Sequence, residues 1–130
     1  MKILSVEDNH TQQEIIKDLI LKLVPKCRIE LIATMSKNDI KSFEGFNKPD
    51  LILLDWELSH SSMNGLQILK ELKSNPLTRE IPVIMCTGKA DVVNIKKAMS
   101  YKVNGYIVKP LTLDKMKQCL DKFIETKDVA

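Results

Sequence analysis

Strand-like and helix-like segments alternate five times along the chain, and this alternation restricts the possible folds more than any other feature. The strand-like segments are short and apolar: Ile3 to Val6, Cys27 to Ala33, Leu51 to Leu54, Ile81 to Cys86 and Val103 to Val108. Three of them are nearly continuous in apolar residues, which is typical of parallel strands covered on both faces. The second, CRIELIA, alternates more and is predicted to be an edge strand.

Each strand-like segment is followed by residues whose apolar side chains have helical spacing. The predicted helices span residues 11–24, 36–46, 64–74, 90–101 and 112–126. Pro25 ends the first helix, because proline cannot continue it. Ser36 or Asn38 is expected to cap the second helix, and Thr112 the fifth.

Alternation at roughly 25 residues per unit predicts right-handed crossovers and a parallel sheet with helices on both faces. We therefore expect a single domain spanning residues 1–130. Its fold class is α/β: a doubly wound, flavodoxin-like (βα)5 sandwich with a five-stranded sheet in the order 2-1-3-4-5.

The composition argues against several classes of protein. The 130 residues carry a net charge of +3, and the lysines are scattered among acids, so no direct nucleic-acid or membrane partner is expected. Three cysteines without metal-ligand spacing indicate reduced thiols in a cytoplasmic protein. The N-terminus MKILSVED is not a signal peptide, and no stretch approaches the roughly 20 apolar residues of a membrane helix.

Polar residues follow four of the five predicted strands. Glu7 and Asp8 follow the first strand, Asp55 the third, Thr87 the fourth and Lys109 the fifth. In an open parallel sheet, ligands bind in the crevice beyond the carboxyl ends of the strands. In the order 2-1-3-4-5 the first and third strands are neighbours, so three carboxylates converge at this crevice.

Three adjacent carboxylates repel one another unless a cation neutralises them, and oxygen ligands suit Mg²⁺. A hydroxyl from Thr87 and an ammonium from Lys109 border the same pocket. A metal site, a carboxylate nucleophile and donors for oxygen atoms are the components of a phosphoryl-transfer site. Taken singly, each residue also has an ordinary interpretation: helix capping for Glu7 and Asp8, a turn for Asp55, a structural threonine, a solvated lysine.

Four motifs together resemble a known family, the receiver domain of two-component response regulators, which includes the single-domain chemotaxis regulators. They are VEDN at 6–9, LILLD at 51–55, VIMCTG at 83–88 and GYIVKP at 105–110. The resemblance covers about residues 2–125. It implies a signalling phosphoacceptor, with only limited self-catalysed phosphorylation and dephosphorylation, rather than an enzyme.

The resemblance also implies a role for each site residue. Asp55 takes a phosphoryl group from the phosphohistidine of a sensor histidine kinase or phosphotransfer protein. Asp8 and Asp55 ligate Mg²⁺, Glu7 holds it through water, and the backbone carbonyl of Glu57 completes the protein ligands. Thr87 and Lys109 bind the phosphoryl oxygens. The peptide bond from Lys109 to Pro110 is expected to be cis.

In the family, inward movement of the residue at Thr87 is coupled to rotation of an aromatic side chain on the fifth strand, here Tyr106. The switched surface comprises the fourth helix, fifth strand and fifth helix, which would bind a downstream protein or a second copy of the chain. A half-exposed strand aromatic without a switching role fits Tyr106 equally well. The short polar tail KDVA favours a stand-alone regulator over part of a longer protein.

The loop after the phosphoacceptor departs from the family pattern. Residues 58–62, LSHSS, form a loop that is longer by about two residues and has no proline, which puts its effect on metal binding in doubt. His60 within it is expected to face solvent. Glu57 and Lys89 flank the pocket, and a pair between them is hypothesised to shield the acyl phosphate from water.

Three other functions were compared with a phosphoacceptor switch. A haloacid-dehalogenase-like phosphatase also has a second acid two positions after its nucleophile, as in Asp55 and Glu57. Its nucleophile follows the first strand, however, and its cap insertion is absent here. A receiver that works without phosphorylation is disfavoured because the pocket residues are present. A nucleotide-binding flavodoxin-like protein is disfavoured because no Gly-rich loop follows the first strand.

Overall fold

The structure, a computed structural model, describes residues 1–43, 48–58, 63–88 and 92–124. Strands and helices alternate through these residues, with bounds β1 (Lys2–Val6), α1 (His10–Leu23), β2 (Arg28–Ile32), α2 (Lys37–Lys41), β3 (Leu51–Asp55), α3 (Gly65–Ser74), β4 (Val83–Thr87), α4 (Val92–Ser100), β5 (Gly105–Val108) and α5 (Leu113–Leu120). A 3-10 turn, Asp121–Phe123, follows α5. No helix within the described residues is both long and apolar enough to cross a membrane.

The five strands form one parallel sheet in the order β2-β1-β3-β4-β5, which confirms the predicted order. β1 lies between β2 and β3, and Val6 pairs with both Ile32 and Leu54. β3 pairs in turn with β4, where Asp55 is opposite Cys86. The ends of β1 and β3 therefore lie side by side, at the point where the strand order reverses.

The sheet separates two apolar cores, because successive side chains of a strand point to opposite faces. Leu4, Leu54 and Met85 contribute to the core under α2, α3 and α4. Ile3 and Leu53 contribute to the core under α1 and α5. β3 and β4 are buried at every residue, whereas β2 contains exposed residues and lies at the edge, as its alternating sequence predicted.

Local side-chain bonds fix the starts of the helices. Asn9 accepts from the Gln12 N–H at 2.9 Å, so α1 begins at His10, one residue before the predicted start. Ser36 forms a capping box with Asp39, and Thr112 accepts from the Lys115 N–H, as the sequence predicted. The predicted helical residues 44–46, 90–91 and 125–126 lie outside the described residues.

Two strands begin two residues later than their apolar sequences suggested. β4 begins at Val83 and β5 at Gly105, two residues after the predicted starts. Asn104 explains both bounds, because its side chain accepts from the Val83 N–H at 2.9 Å and its own N–H donates to the Val83 carbonyl at 2.8 Å. The Val103 N–H donates to the Ala98 carbonyl at the end of α4 instead of joining the sheet.

The three cysteines are free thiols, in agreement with the sequence prediction. Cys86 is fully buried in β4, and burial raises the pKa of its thiol to about 12. A thiol that stays protonated is a poor nucleophile. Cys86 therefore acts as a small apolar core residue.

Candidate functional site

Three carboxylates meet at the carboxyl ends of β1 and β3. Glu7 and Asp8 directly follow β1, and Asp55 is the last residue of β3. One oxygen from each of the three lies within 4.8 Å of the others. Glu7 and Asp55 are only 1% and 3% exposed, and Asp8 is partly exposed. These residues form an acidic cluster that is open to solvent on the Asp8 side.

Lys109 supplies the positive charge at this cluster. Its Nζ lies 3.3 Å from Glu7 Oε2 and 3.4 Å from Asp55 Oδ1. The Lys109 N–H donates to the Thr87 carbonyl at 2.7 Å, which ties the residue after β5 to the end of β4. The Lys109–Pro110 peptide bond is cis, in agreement with the expectation from the sequence.

The acidic cluster shifts the pKa values of Glu7 and of the neighbouring Lys109. The pKa of Glu7 is raised to about 7, chiefly by burial; the neighbouring Asp55 carboxylate also raises it, by more than Lys109 lowers it. Burial alone lowers the pKa of Lys109, but attraction to Asp55 and Glu7 outweighs burial and raises it. The Lys109 ammonium thus only partly neutralises the carboxylates, and Glu7 holds a proton at a pH where an ordinary glutamate is ionised.

This proton gives an expected pH dependence of stability. The folded-state pKa of Glu7 lies above its ordinary value of 4.5, so the folded chain holds a proton that the unfolded chain releases. In chelator, the free energy of unfolding should therefore fall by about 3 kcal/mol as the pH rises from about 4.5 to 7. Urea titrations across this range should show the decline in wild type and not in Glu7→Gln.

Glu14→Gln, the same change at an exposed position of α1, should retain the wild-type decline. An equal pH dependence in the wild type and Glu7→Gln would mean that Glu7 does not carry this proton.

Thr87 lies at the end of β4 and is fully buried. Its hydroxyl donates to Glu57 Oε1 at 3.3 Å. The Glu57 N–H in turn donates to Asp55 Oδ1 at 3.2 Å. The structure therefore brings together Asp55, Thr87 and Lys109, as the sequence predicted, and adds the side chain of Glu57.

Two contacts that were not predicted from the sequence support the cluster. The Gln13 side chain donates from Nε2 to the Glu7 carbonyl at 2.7 Å, which fixes the chain between β1 and α1. The Gly65 N–H donates to the Trp56 carbonyl at 3.2 Å, which holds the start of α3 against the end of β3. Sequence spacing carries no signal for either bond, because both depend on how a loop folds back.

Other predicted features lie at the margin of the site or beyond the described residues. Tyr106 on β5 is partly buried and packs against the core that contains Met85, and its switching role stays a prediction. Leu58 is buried, but residues 59–62, including His60, are outside the described part of the chain. Lys89 also lies outside it, so the hypothesised pair with Glu57 stays a prediction.

The ligands of the acidic cluster fit a hard divalent cation. All three side chains offer carboxylate oxygens, which Mg²⁺ prefers, and none offers sulfur or imidazole nitrogen. Besides burial, which is the main cause of the raised pKa of Glu7, Asp55 raises this pKa more than Lys109 lowers it, so negative charge outweighs the positive charge of Lys109 at Glu7. A dication bound by Glu7, Asp8 and Asp55 would remove this excess.

Comparison with known proteins places the chain among signalling domains. A family model described as the response regulator receiver domain matches residues 3–121. Chemotaxis protein CheY1 of Helicobacter pylori is 33% identical over 134 residues, covering 98% of this chain and 100% of that protein. Chemotaxis protein CheY-3 of Vibrio cholerae is 31% identical over 96% of this chain and 92% of that protein.

Solved structures agree with these relatives. The receiver domain of a sensor histidine kinase from Pseudomonas aeruginosa is 25% identical, with a TM-score of 0.76 over 94% of this chain and 95% of that domain. That domain has a magnesium ion coordinated in its active site cleft. The phosphorylated cyanobacterial phytochrome response regulator RcpA is 26% identical, with a TM-score of 0.72 over 93% of this chain and 89% of that chain.

Proposed function

The chain belongs to the response regulator receiver domain family, and from this membership we propose that it is a phosphoacceptor switch with Asp55 as the phosphorylated residue. The observation that carries the proposal is the convergence of the acidic cluster with Lys109. The Asp55 carboxylate is nearly buried, lies at the end of a rigid central strand and contacts the Lys109 ammonium at 3.4 Å. This geometry holds an anionic nucleophile beside a cation that can pair with phosphoryl oxygens.

In the proposed reaction, a carboxylate oxygen of Asp55 forms a bond to the phosphorus of a phosphohistidine. The P–N bond breaks, and the imidazole of a sensor histidine kinase or phosphotransfer protein leaves with the electron pair. Mg²⁺, when held by Glu7, Asp8, Asp55 and the Glu57 carbonyl, would neutralise charge on the transferred group. Lys109 pairs with a phosphoryl oxygen, and the Thr87 hydroxyl donates to another.

The added charge supplies the switch. A phosphoryl group brings roughly two negative charges to the pocket, which rearranges its donors. We propose an output surface formed by the exposed faces of α4, β5 and α5, with Tyr106 at its centre. Val92, Val93 and Met99 on α4 are each more than 60% exposed. This apolar area suits a downstream protein, and a second copy of the chain is the alternative occupant.

The resemblance to chemotaxis proteins supports a role in the same kind of pathway. CheY1 and CheY-3 match nearly the whole chain, including the segments that carry the site. A kinase-fed regulator that acts through protein contacts is consistent with this similarity. The proposed partners are therefore a phosphohistidine donor at the pocket and a protein target at the output surface.

Magnesium dependence tests the proposal. Incubated with acetyl phosphate, the full chain should gain the mass of one phosphoryl group in Mg²⁺ and none in chelator. The reason is that the acidic cluster repels an anionic donor unless a dication offsets its charge. Equal labelling in both solutions would contradict the metal site. Steady turnover of a small phosphomonoester would instead favour a phosphatase.

A further inference from the structure

The side chain of Glu57 contacts the donor that the proposed switch requires. Its Oε1 accepts the Thr87 hydroxyl hydrogen at 3.3 Å, and an ideal Cβ placed on Gly88 would lie 3.7 Å from the same oxygen. The carboxylate therefore lies over the carboxyl end of β4. At its main chain, the same residue donates to Asp55 Oδ1 at 3.2 Å. Glu57 thus connects the phosphoacceptor to Thr87.

From this contact we infer that the Glu57 carboxylate is a latch on Thr87, which competes with the phosphoryl group for the threonine hydroxyl. A threonine hydroxyl has a single hydrogen and can donate it to one strong acceptor at a time. The inference rests on the proposed function, since it concerns the same pocket. It assigns Glu57 a positioning role through its side chain, in addition to the carbonyl expected to face the metal.

The competition has a definite direction. In the unphosphorylated chain, Thr87 donates to the Glu57 carboxylate at 3.3 Å, which is longer and weaker than the roughly 2.5–3.0 Å bond usual for a hydroxyl donor. A carboxylate is nevertheless a stronger acceptor than a neutral amide oxygen. Thr87 must leave this acceptor before it donates to a phosphoryl oxygen on Asp55. Glu57 therefore favours the unswitched arrangement and lowers the affinity of the pocket for a phosphoryl group. Glutamine at this position keeps the shape and removes the charge.

Beryllofluoride, which mimics a phosphoryl group on an aspartate, gives an equilibrium test with the full chain in Mg²⁺. Trp56 is the only tryptophan and directly follows Asp55, so its fluorescence reports binding. Glu57→Gln should tighten the apparent Kd by about threefold relative to wild type, because the competing acceptor is weakened. Glu80→Gln is the matched control: it removes the same charge from a side chain that is 85% exposed.

A double-mutant cycle separates the latch from simple charge repulsion. Glu57→Gln also removes a negative charge, and this effect persists when the Thr87 hydroxyl is absent. In Thr87→Val the effect of Glu57→Gln should therefore shrink to the charge effect alone. In Thr87→Ser, which retains the hydroxyl, it should return to the wild-type value. Valine and serine differ little from threonine in size, and thermal unfolding of each variant checks that it folds.

The outcomes distinguish this inference from the proposed function. A Mg²⁺-dependent response of wild type, with equal effects of Glu57→Gln in the wild-type and Thr87→Val backgrounds, overturns the latch and leaves the phosphoacceptor intact. A weaker affinity in Glu57→Gln also overturns it. Absence of any beryllofluoride response in wild type, with the chain folded, contradicts the proposed function itself and the latch with it.

Discussion

An Asp55→Asn chain is expected to gain no phosphoryl group from acetyl phosphate in Mg²⁺, under conditions that label the wild type. Asparagine has nearly the shape of aspartate and still offers an acceptor to the Glu57 N–H, which lies 3.2 Å from Asp55 Oδ1. It lacks the anionic oxygen that attacks phosphorus, so the loss should be at least about 100-fold. Intact-mass measurement over a time course compares the two chains.

The substitution should not weaken the fold. The Asp55 carboxylate raises the pKa of Glu7, which shows that the two groups repel each other when both are ionised. Removing one charge relieves this repulsion, and Lys109 loses its contact with Asp55 but keeps Glu7 as a partner at 3.3 Å. The Tm in chelator should therefore stay the same or rise. A lost label in a chain with an undiminished Tm therefore separates chemistry from misfolding.

Asp18→Asn is the matched control, because Asp18 is exposed on α1 and far along the helix from the cluster. It should label like the wild type. Labelling that persists in Asp55→Asn would move the nucleophile elsewhere, and Glu7 and Asp8 of the acidic cluster are the first candidates.

The sheet and the polar strand ends could be predicted because both depend on periodicity. A strand buried on both faces must be apolar at each position, so the first polar residue marks its end. For β3 this rule placed Asp55 at the carboxyl end of the strand, and the parallel order of the strands placed Glu7 and Asp8 beside it. The distance between Lys109 and Glu7 could not be predicted from periodicity, because tertiary packing brings the two side chains to 3.3 Å.

Two of the features that sequence reasoning missed depend on contacts between residues that are far apart in the chain. The start of β4 depends on a hydrogen bond from the Val83 N–H to the side chain of Asn104, which lies 21 residues later in the chain. The contact of Glu57 with Thr87 joins residues 30 apart, and neither residue type demands the other. Periodicity describes which face of a strand or helix is buried, and it contains no information about how a polar side chain turns at a loop.

Gly65→Ala is expected to lower the free energy of unfolding by about 3 kcal/mol, at the upper end of the usual range for overpacking. A Cβ on Gly65 would overlap the Asp55 carbonyl oxygen and lie 2.6 Å from the Trp56 Cα. These atoms belong to the backbone and cannot rotate away, so the first turn of α3 must separate from the end of β3. Urea unfolding followed by Trp56 fluorescence and by circular dichroism measures the loss.

The separation of α3 from β3 should also displace the acidic cluster, because the new methyl group would press against the backbone of Asp55, the proposed phosphoacceptor. We expect Gly65→Ala to bind Mg²⁺ more weakly than wild type even at temperatures where it is folded. Gly88→Ala serves as the control for the loss of stability, since among the described residues its Cβ would meet the Glu57 side chain alone, at 3.7 Å, an ordinary contact. If Gly65→Ala has the same urea midpoint of unfolding as the wild type, the backbone at the end of β3 shifts to admit the methyl group more easily than its burial indicates. Asp55 would then be held in place by its contact with Lys109 at 3.4 Å rather than by the packing of α3.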